Sequence, residues 1–166
     1  KNAMLPLMAA SILTRGRCVL RNVPNLRDTR TMIKLLEVLG VECRFDNSVL
    51  VIDASDIDSD EAPYDLVRTM RASIYVLAPL LARRGHARVS LPGGCAWGPR
   101  PIDLHLKGLA ALGAGIKIDH GYIDATAERL RGAKGVLSVP SVGARVNIIM
   151  AAVLAEMGFP WQMARG

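Results

Sequence analysis

Aromatic side chains are scarce in this chain: two Trp, three Tyr and two Phe make up 4% of its 166 residues. A core must therefore be built from Leu, Val, Ile, Ala and Met, and a stacking platform for single-stranded nucleic acid has little to stand on. No run of five or more basic residues occurs, and the aromatics do not interleave with Arg or Lys. The net charge of +6 thus reads as a solvated basic surface or as a site for a polyanionic small substrate, with no nucleic-acid partner expected. Cysteine is sparse too. Cys18, Cys43 and Cys95 are odd in number, irregularly spaced and free of any CxxC or Cys/His metal pattern. They read as reduced thiols in a reducing compartment, which predicts a cytoplasmic protein with no metal. Apolar stretches are broken by Arg or Pro well short of a membrane span, and no signal peptide is visible, so no membrane partner is expected. The chain starts at Lys1 rather than Met, which points to an incomplete sequence.

What is present is an apolar fraction of 51% against 22% charged residues, enough for one globular domain with a core. The pattern along it repeats. Ala3 to Leu13 reads as a buried helix stopped at Gly16, and Cys18 to Val23 as a strand closed by Pro24. Asp28 is a candidate cap for a helix whose apolar face is Met32, Leu35, Leu36 and Leu39, ending at Gly40. Val41 to Phe45 and Val49 to Ile52 flank a hairpin turn, and Asp53 to Glu61 reads as an acidic, solvated connector.

The same order then recurs. Leu66 to Arg84 predicts a helix stopped by Gly85, and Ala87 to Leu91 a strand followed by Pro92. Leu104 to Leu112 predicts a helix stopped by Gly113, so that Leu112-Gly113 is the counterpart of Leu39-Gly40. Ile116 to Ile118 and Tyr122 to Asp124 flank a second turn. A third unit opens with a strand at Val136 to Val139 and a helix at Val142 to Ala155, then breaks off. The expected division is residues 1–60, 61–133 and 134–158 as two repeats and the start of a third, with 159–166 a tail off the pattern. The chain reads as truncated.

One stretch stands out, Leu91-Pro92-Gly93-Gly94-Cys95-Ala96-Trp97-Gly98-Pro99-Arg100-Pro101-Ile102-Asp103-Leu104-His105. Its glycines and prolines cannot continue a helix or central strand, so it is a shaped loop between two regular elements. A thiol near a guanidinium has its thiolate favoured, which suits a nucleophile or a proton donor. A glycine-rich turn with an incidental Cys is the alternative from spacing alone. Three other segments invite attention: Lys1-Asn2-Ala3 at a helix start, Arg68-Thr69-Met70-Arg71-Ala72-Ser73, and Ser141-Val142-Gly143-Ala144. A cation with backbone donors at a helix N-terminus attracts anions, and an Arg within an apolar stretch needs a partner.

Together these segments resemble the bacterial enolpyruvyl transferases that act on UDP-N-acetylglucosamine, over nearly the whole chain up to about Glu156. The resemblance implies an α/β fold of α+β repeats, a pseudo-threefold inside-out α/β barrel-type domain with helices inside the sheets. The third repeat is truncated here and the family's second domain is missing. It implies transfer of the enolpyruvyl group of phosphoenolpyruvate to a sugar 3-hydroxyl by addition and elimination, with no cofactor. Cys95 matches the family's catalytic proton donor, the position that fosfomycin alkylates. Lys1 and Asn2 match a phosphoenolpyruvate contact. Arg71, and the run Arg100, Pro101, Ile102, Asp103 and Leu104, match contacts to the UDP-sugar, and Asp103 is also placed to cap its helix. Ser141, Val142 and Gly143 match a segment that binds the uridine end. The pattern departs at Val139, where the family often has Lys, and at Arg145, where it has Thr.

Three histidines complete the inventory. His105 reads as helix surface near the loop, and His86 and His120 as solvent-facing turn residues. The shikimate-pathway relatives lack a PGGC loop, so Cys95 argues against that branch. A non-catalytic, nucleotide-sugar-binding remnant domain is the reading from a different class.

Overall fold

A computed structural model of the chain describes residues 3–91, 102–156 and 161–163, the last at the level of the backbone. It opens with α1 (Met4–Ala10), continued by one 3-10 turn to Leu13, then β1 (Arg17–Leu20) and α2 (Arg27–Val38). The hairpin β2 (Glu42–Asp46) and β3 (Val49–Asp53) follows, and β1 adds to the free edge of β3. The second unit runs β4 (Glu61–Ala62), α3 (Tyr64–Val67), a 3-10 segment Arg71–Val76, α4 (Leu77–Arg84), β5 (His86–Ser90), α5 (Asp103–Ala111), β6 (Gly115–Asp119) and β7 (Tyr122–Thr126). Its sheet has the order β4-β5-β7-β6, with β4 parallel to β5 and the rest antiparallel. Then come β8 (Gly135–Leu137), α6 (Val142–Ala152) and β9 (Trp161–Met163).

The two hairpins share one register. Glu42 pairs with Asp53 and Asp46 with Val49; Gly115 pairs with Thr126 and Asp119 with Tyr122, at the same offset that separates Gly40 from Gly113. Both turn through two residues of left-handed backbone, Asn47 and Ser48 in one, His120 and Gly121 in the other. That geometry matches the right-handed twist of the flanking strands. The sheets keep one face in solvent, as the alternation of β3 and β7 requires, and lay the other on helices. Helix α4 lies in the interior, and the other helices turn one face to it. Leu77, Ala78, Pro79, Leu80 and Leu81 of α4 are all buried, and α2 contributes Met32, Leu35, Leu36 and Leu39 at helical spacing.

Several expectations are corrected. The helix foreseen over Leu66 to Arg84 is broken: Met70 is extended and a 3-10 segment precedes α4. Pro79 accounts for the start of α4 at Leu77, because it has no N–H for the Tyr75 carbonyl and its ring crowds that turn. Asp28 and Asp103 do not cap their helices; Leu26 and Ile102 occupy the cap positions. Each acid instead sits in the first turn, where the helix dipole favours it. The acidic connector is not merely solvated: Glu61 starts β4 and its carboxylate accepts from Arg88 at 3.2 Å. Residues 161–163, expected to lie off the repeat, form β9 parallel to β8 just as β5 lies parallel to β4. Backbone pairing of this kind needs no apolar alternation, which is why the sequence hid it. Among the described residues no helix is long and apolar enough to cross a membrane.

Candidate functional site

A cleft of about 410 Å³ opens beside the start of α1. Leu5, Asp28 and the segment Thr69-Met70-Arg71-Ala72, with Tyr75, line it. The break before α4 places Arg71 there. A continuous helix would have carried it in a different phase, whereas the extended Met70 turns the chain. Arg71 makes no ion pair with a described residue, so the acidic neighbour that would tie it up structurally is not seen among them. A guanidinium lining a cleft in this way is suited to an anionic ligand.

Tyr75 joins this cleft to a second cluster. A Cβ placed on Gly143 would stand 3.5 Å from the Tyr75 hydroxyl and 3.3 Å from both Cε1 and Nε2 of His105. Glycine at 143 thus leaves a notch framed by a phenol and an imidazole. Ser141 positions the backbone here: it is the N-cap of α6, its Oγ accepting from Ala144 N–H at 3.2 Å. Val142 is 74% exposed, available for contact rather than packing. Ile102 and Asp103 stand at the start of α5, where Asp103 meets Lys107 at 3.6 Å on the surface. Leu104 is buried, so its side chain holds the helix start in place and only its backbone can serve a ligand.

His105 overturns its assignment as helix surface. It is buried on the inner face of α5. Burial, only partly opposed by Asp103, pulls its pKa down to about 4. Burial likewise pushes the Tyr75 hydroxyl up. Both therefore present neutral donors at physiological pH. His86 is also corrected: it lies in β5, half-buried, with Nδ1 at 2.6 Å from Asp60 and Nε2 at 3.1 Å from Asp124. His120 occupies the exposed β6–β7 turn as expected. Tyr75 and His105 are the site residues that sequence reasoning missed. For His105 a signal existed, since it precedes Gly113 by the same interval as the core residue Met32 precedes Gly40.

The structure thus gathers Arg71, Ser141, Gly143 and the start of α5 around Tyr75 and His105. Lys1, Asn2, Cys95, Arg100 and Pro101 lie outside the described residues. Cys18 and Cys43 are half-buried and unpaired with one another. Among the described residues no group of three or more His, Cys, Asp or Glu is arranged to hold a metal ion.

Helices enclosed by repeated sheets, with basic and neutral donors gathered at helix N-termini, define a class, and comparison supplies its name. Residues 1–160 match the family described as EPSP synthase (3-phosphoshikimate 1-carboxyvinyltransferase), and the chain belongs to that family. Within it the chain is similar to the UDP-N-acetylglucosamine 1-carboxyvinyltransferase of Desulfosudis oleivorans, at 54% identity over 156 residues. It is 56% identical over 156 residues to UDP-N-acetylglucosamine 1-carboxyvinyltransferase 2 of Carboxydothermus hydrogenoformans. Each comparison covers 94% of this chain and 37% of the relative, so the chain spans little more than a third of their length. Among solved structures, the enolpyruvyl transferase NikO of Streptomyces tendae matches with a TM-score of 0.79 at 23% identity, over 92% of this chain and 36% of that one. EPSP synthase of Acinetobacter baumannii matches at 0.72 and 16%, over 96% and 38%. At those identities the likeness is one of fold.

Proposed function

We propose that this chain is the thiol-bearing, nucleotide-sugar-binding part of an enolpyruvyl transferase that moves the enolpyruvyl group of phosphoenolpyruvate onto the 3-hydroxyl of UDP-N-acetylglucosamine. The observation that carries the reading is 54–56% identity, over 94% of the chain, to enzymes named for that reaction. The reaction opens peptidoglycan synthesis, and its substrates place it in the cytoplasm.

In the forward step the sugar oxygen bonds to C2 of phosphoenolpyruvate while the Cys95 thiol gives its proton to C3. The hydroxyl proton passes to a base supplied outside this chain. Elimination then returns a proton from C3 to the Cys95 thiolate as the C2–O bond breaks and phosphate leaves. Charge develops on phosphate and carboxylate oxygens throughout, so cations are required around them. Lys1 meets that need beside phosphoenolpyruvate, with Asn2 as a neutral donor, and Arg100 brings a guanidinium to the nucleotide sugar. Arg71, the backbone from Ile102 to Leu104, and Ser141 to Gly143 bind the nucleotide sugar along the cleft and notch. No organic cofactor or metal enters these steps.

Calorimetric titration of the chain with UDP-N-acetylglucosamine tests the reading. Binding is expected, and Arg71→Ala should weaken it roughly tenfold, the loss of one hydrogen bond to a charged group. Phosphate release from both substrates should be negligible for this chain, because the base lies elsewhere. Absence of binding would sink the nucleotide-sugar assignment, and robust release would sink the division of labour.

A further inference from the structure

Asn147 of α6 is fully buried in a helix that is otherwise apolar on its inner face. Its Nδ2 donates to the Ile74 carbonyl at 3.0 Å and lies 2.8 Å from Nδ1 of His105. Its Oδ1 is buried with no partner among the described residues. The orientation of a carboxamide follows from its surroundings, and here the choice is forced. Turning the group over would set Oδ1 against the Ile74 carbonyl oxygen, two acceptors at 3.0 Å with no hydrogen between them. It would also bury both amide hydrogens where only an unpartnered oxygen now sits. One bare acceptor is the lesser cost.

With the nitrogen facing His105, Nδ1 of the imidazole must be the acceptor. The single proton of the neutral ring is then on Nε2. That nitrogen faces the notch at Gly143, which it shares with the Tyr75 hydroxyl. We infer that Asn147 is a positioning residue: by donating to Nδ1 it fixes His105 as the Nε2–H tautomer, so that an imidazole N–H and a phenol O–H both present donors to an oxyanion seated at Gly143. The same amide ties three elements, since Ile74 belongs to the 3-10 segment carrying Arg71 and His105 to the helix leaving the Cys95 loop. The bare Oδ1 is consistent with an amide selected for its donors. Only the nature of the oxyanion, a diphosphate oxygen of the nucleotide sugar, rests on the function proposed above.

The tautomer is read directly from long-range proton–nitrogen correlations of the three histidines in the 15N-labelled full chain at pH 7. His105→Gln identifies the signals. The wild-type chain should show His105 neutral and protonated at Nε2. Asn147→Asp replaces the donor with an acceptor and should move the proton to Nδ1 or add a second one. Asn147→Leu, which keeps the core apolar, should leave a mixture of tautomers. An Nδ1–H or mixed His105 in the wild-type chain overturns the inference whether or not the variants fold, and so does an unchanged tautomer in a folded Asn147→Asp chain. Titration with UDP-N-acetylglucosamine separates the ligand question. Binding that weakens about tenfold in Asn147→Asp supports the oxyanion assignment, and equal binding removes it. No binding to the wild-type chain defeats the nucleotide-sugar reading while leaving the tautomer result intact.

Discussion

The first and second helix-and-sheet units share a hairpin register to the residue, yet differ in the connection between strand and helix, on the buried helix face and at the start of the strand. Residues 21–26 join β1 to α2, whereas 91–102 join β5 to α5, a connection twice as long that contains Cys95 and Arg100. On the buried face of the following helix, Met32 and Leu35 of the first unit give way to His105 and Gly108 in the second. At the strand edge, Arg17 opposes Asp53, while His86 opposes Thr126 and reaches Asp60 and Asp124. The first unit is therefore the scaffold in plain form. The second shows where that scaffold was altered to hold polar groups, and each alteration is matched by a partner: Asn147 for His105, Ile148 for the space above Gly108.

The widest contrast concerns the thiols. Cys43 lies in the plain unit, and burial, with Glu37 adding repulsion, pushes its pKa up to about 12. Against an ordinary thiol near 8.5, that lowers its thiolate fraction on the order of a thousandfold at neutral pH. Cys18 is half-buried, with its sulfur 3.3 Å from the Thr14 hydroxyl. Labelling of the folded chain with a thiol reagent at pH 7.4, followed by peptide mapping, should modify Cys95 first and Cys43 last. Equal rates at all three would erase the distinction between the units and remove the basis for Cys95 as the reacting group.

Helix packing gives the next effect. Leu35→Ala removes a fully buried side chain from α2 and should cost about 3 kcal/mol. At the matching place in α5 the prediction is reversed: a Cβ on Gly108 would collide with the Ile148 side chain, so Gly108→Ala should destabilise by about 2 kcal/mol despite its better helix propensity. Urea midpoints at unchanged slope measure both. Ile148→Ala is destabilising alone but should relieve part of the Gly108→Ala penalty, a non-additivity that contact predicts. A neutral Gly108→Ala would mean that α5 and α6 are not in close contact.

Most of the scaffold was legible beforehand, because it rests on local rules. The hairpins announced themselves by alternation around short polar turns, and the α2 face by its Met32, Leu35, Leu36, Leu39 spacing. Pro79 carried a readable warning about the helix before it, and the offset between the two repeats placed His105 at a core position. What stayed hidden depends on contacts distant in sequence. His86 finds its carboxylates far along the chain on either side, at Asp60 and Asp124, and Asn147 finds the Ile74 carbonyl from a different repeat. A single Asn in an apolar helix gives no hint of the carbonyl it will meet. The cleft shows the same limit: Arg71 was recognisable by its neighbours in sequence, but Tyr75, which links cleft to notch, was not.

The smallest effect tests the strand edge, where the plain unit uses a permanent cation and the altered one a titratable group. The hydrogen bond to Asp60 is the largest cause raising the pKa of His86, with burial opposing and Asp124 assisting. Asp60 is lowered by the same bond. Arg84 lies close enough to Asp60 to assist, Arg88 and Lys117 stand opposite Asp124 across the ladders, and Glu61 is engaged by Arg88. A raised histidine contributes stability that is complete below about pH 6.5 and lost as pH climbs through its folded value. A lowered aspartate contributes above about pH 4 and loses this as pH falls. The clamp is thus strongest between the two. All three side chains are more than a third exposed, so solvent screening keeps its worth below about 1 kcal/mol. Urea midpoints should show His86→Gln less stable than wild type at pH 5.5, with the gap narrowing as the pH is raised toward 8.5. His86→Arg, which borrows the residue of the first unit, should hold its stability across the same range. A gap that is equal at both pH values would show that His86 contributes packing alone.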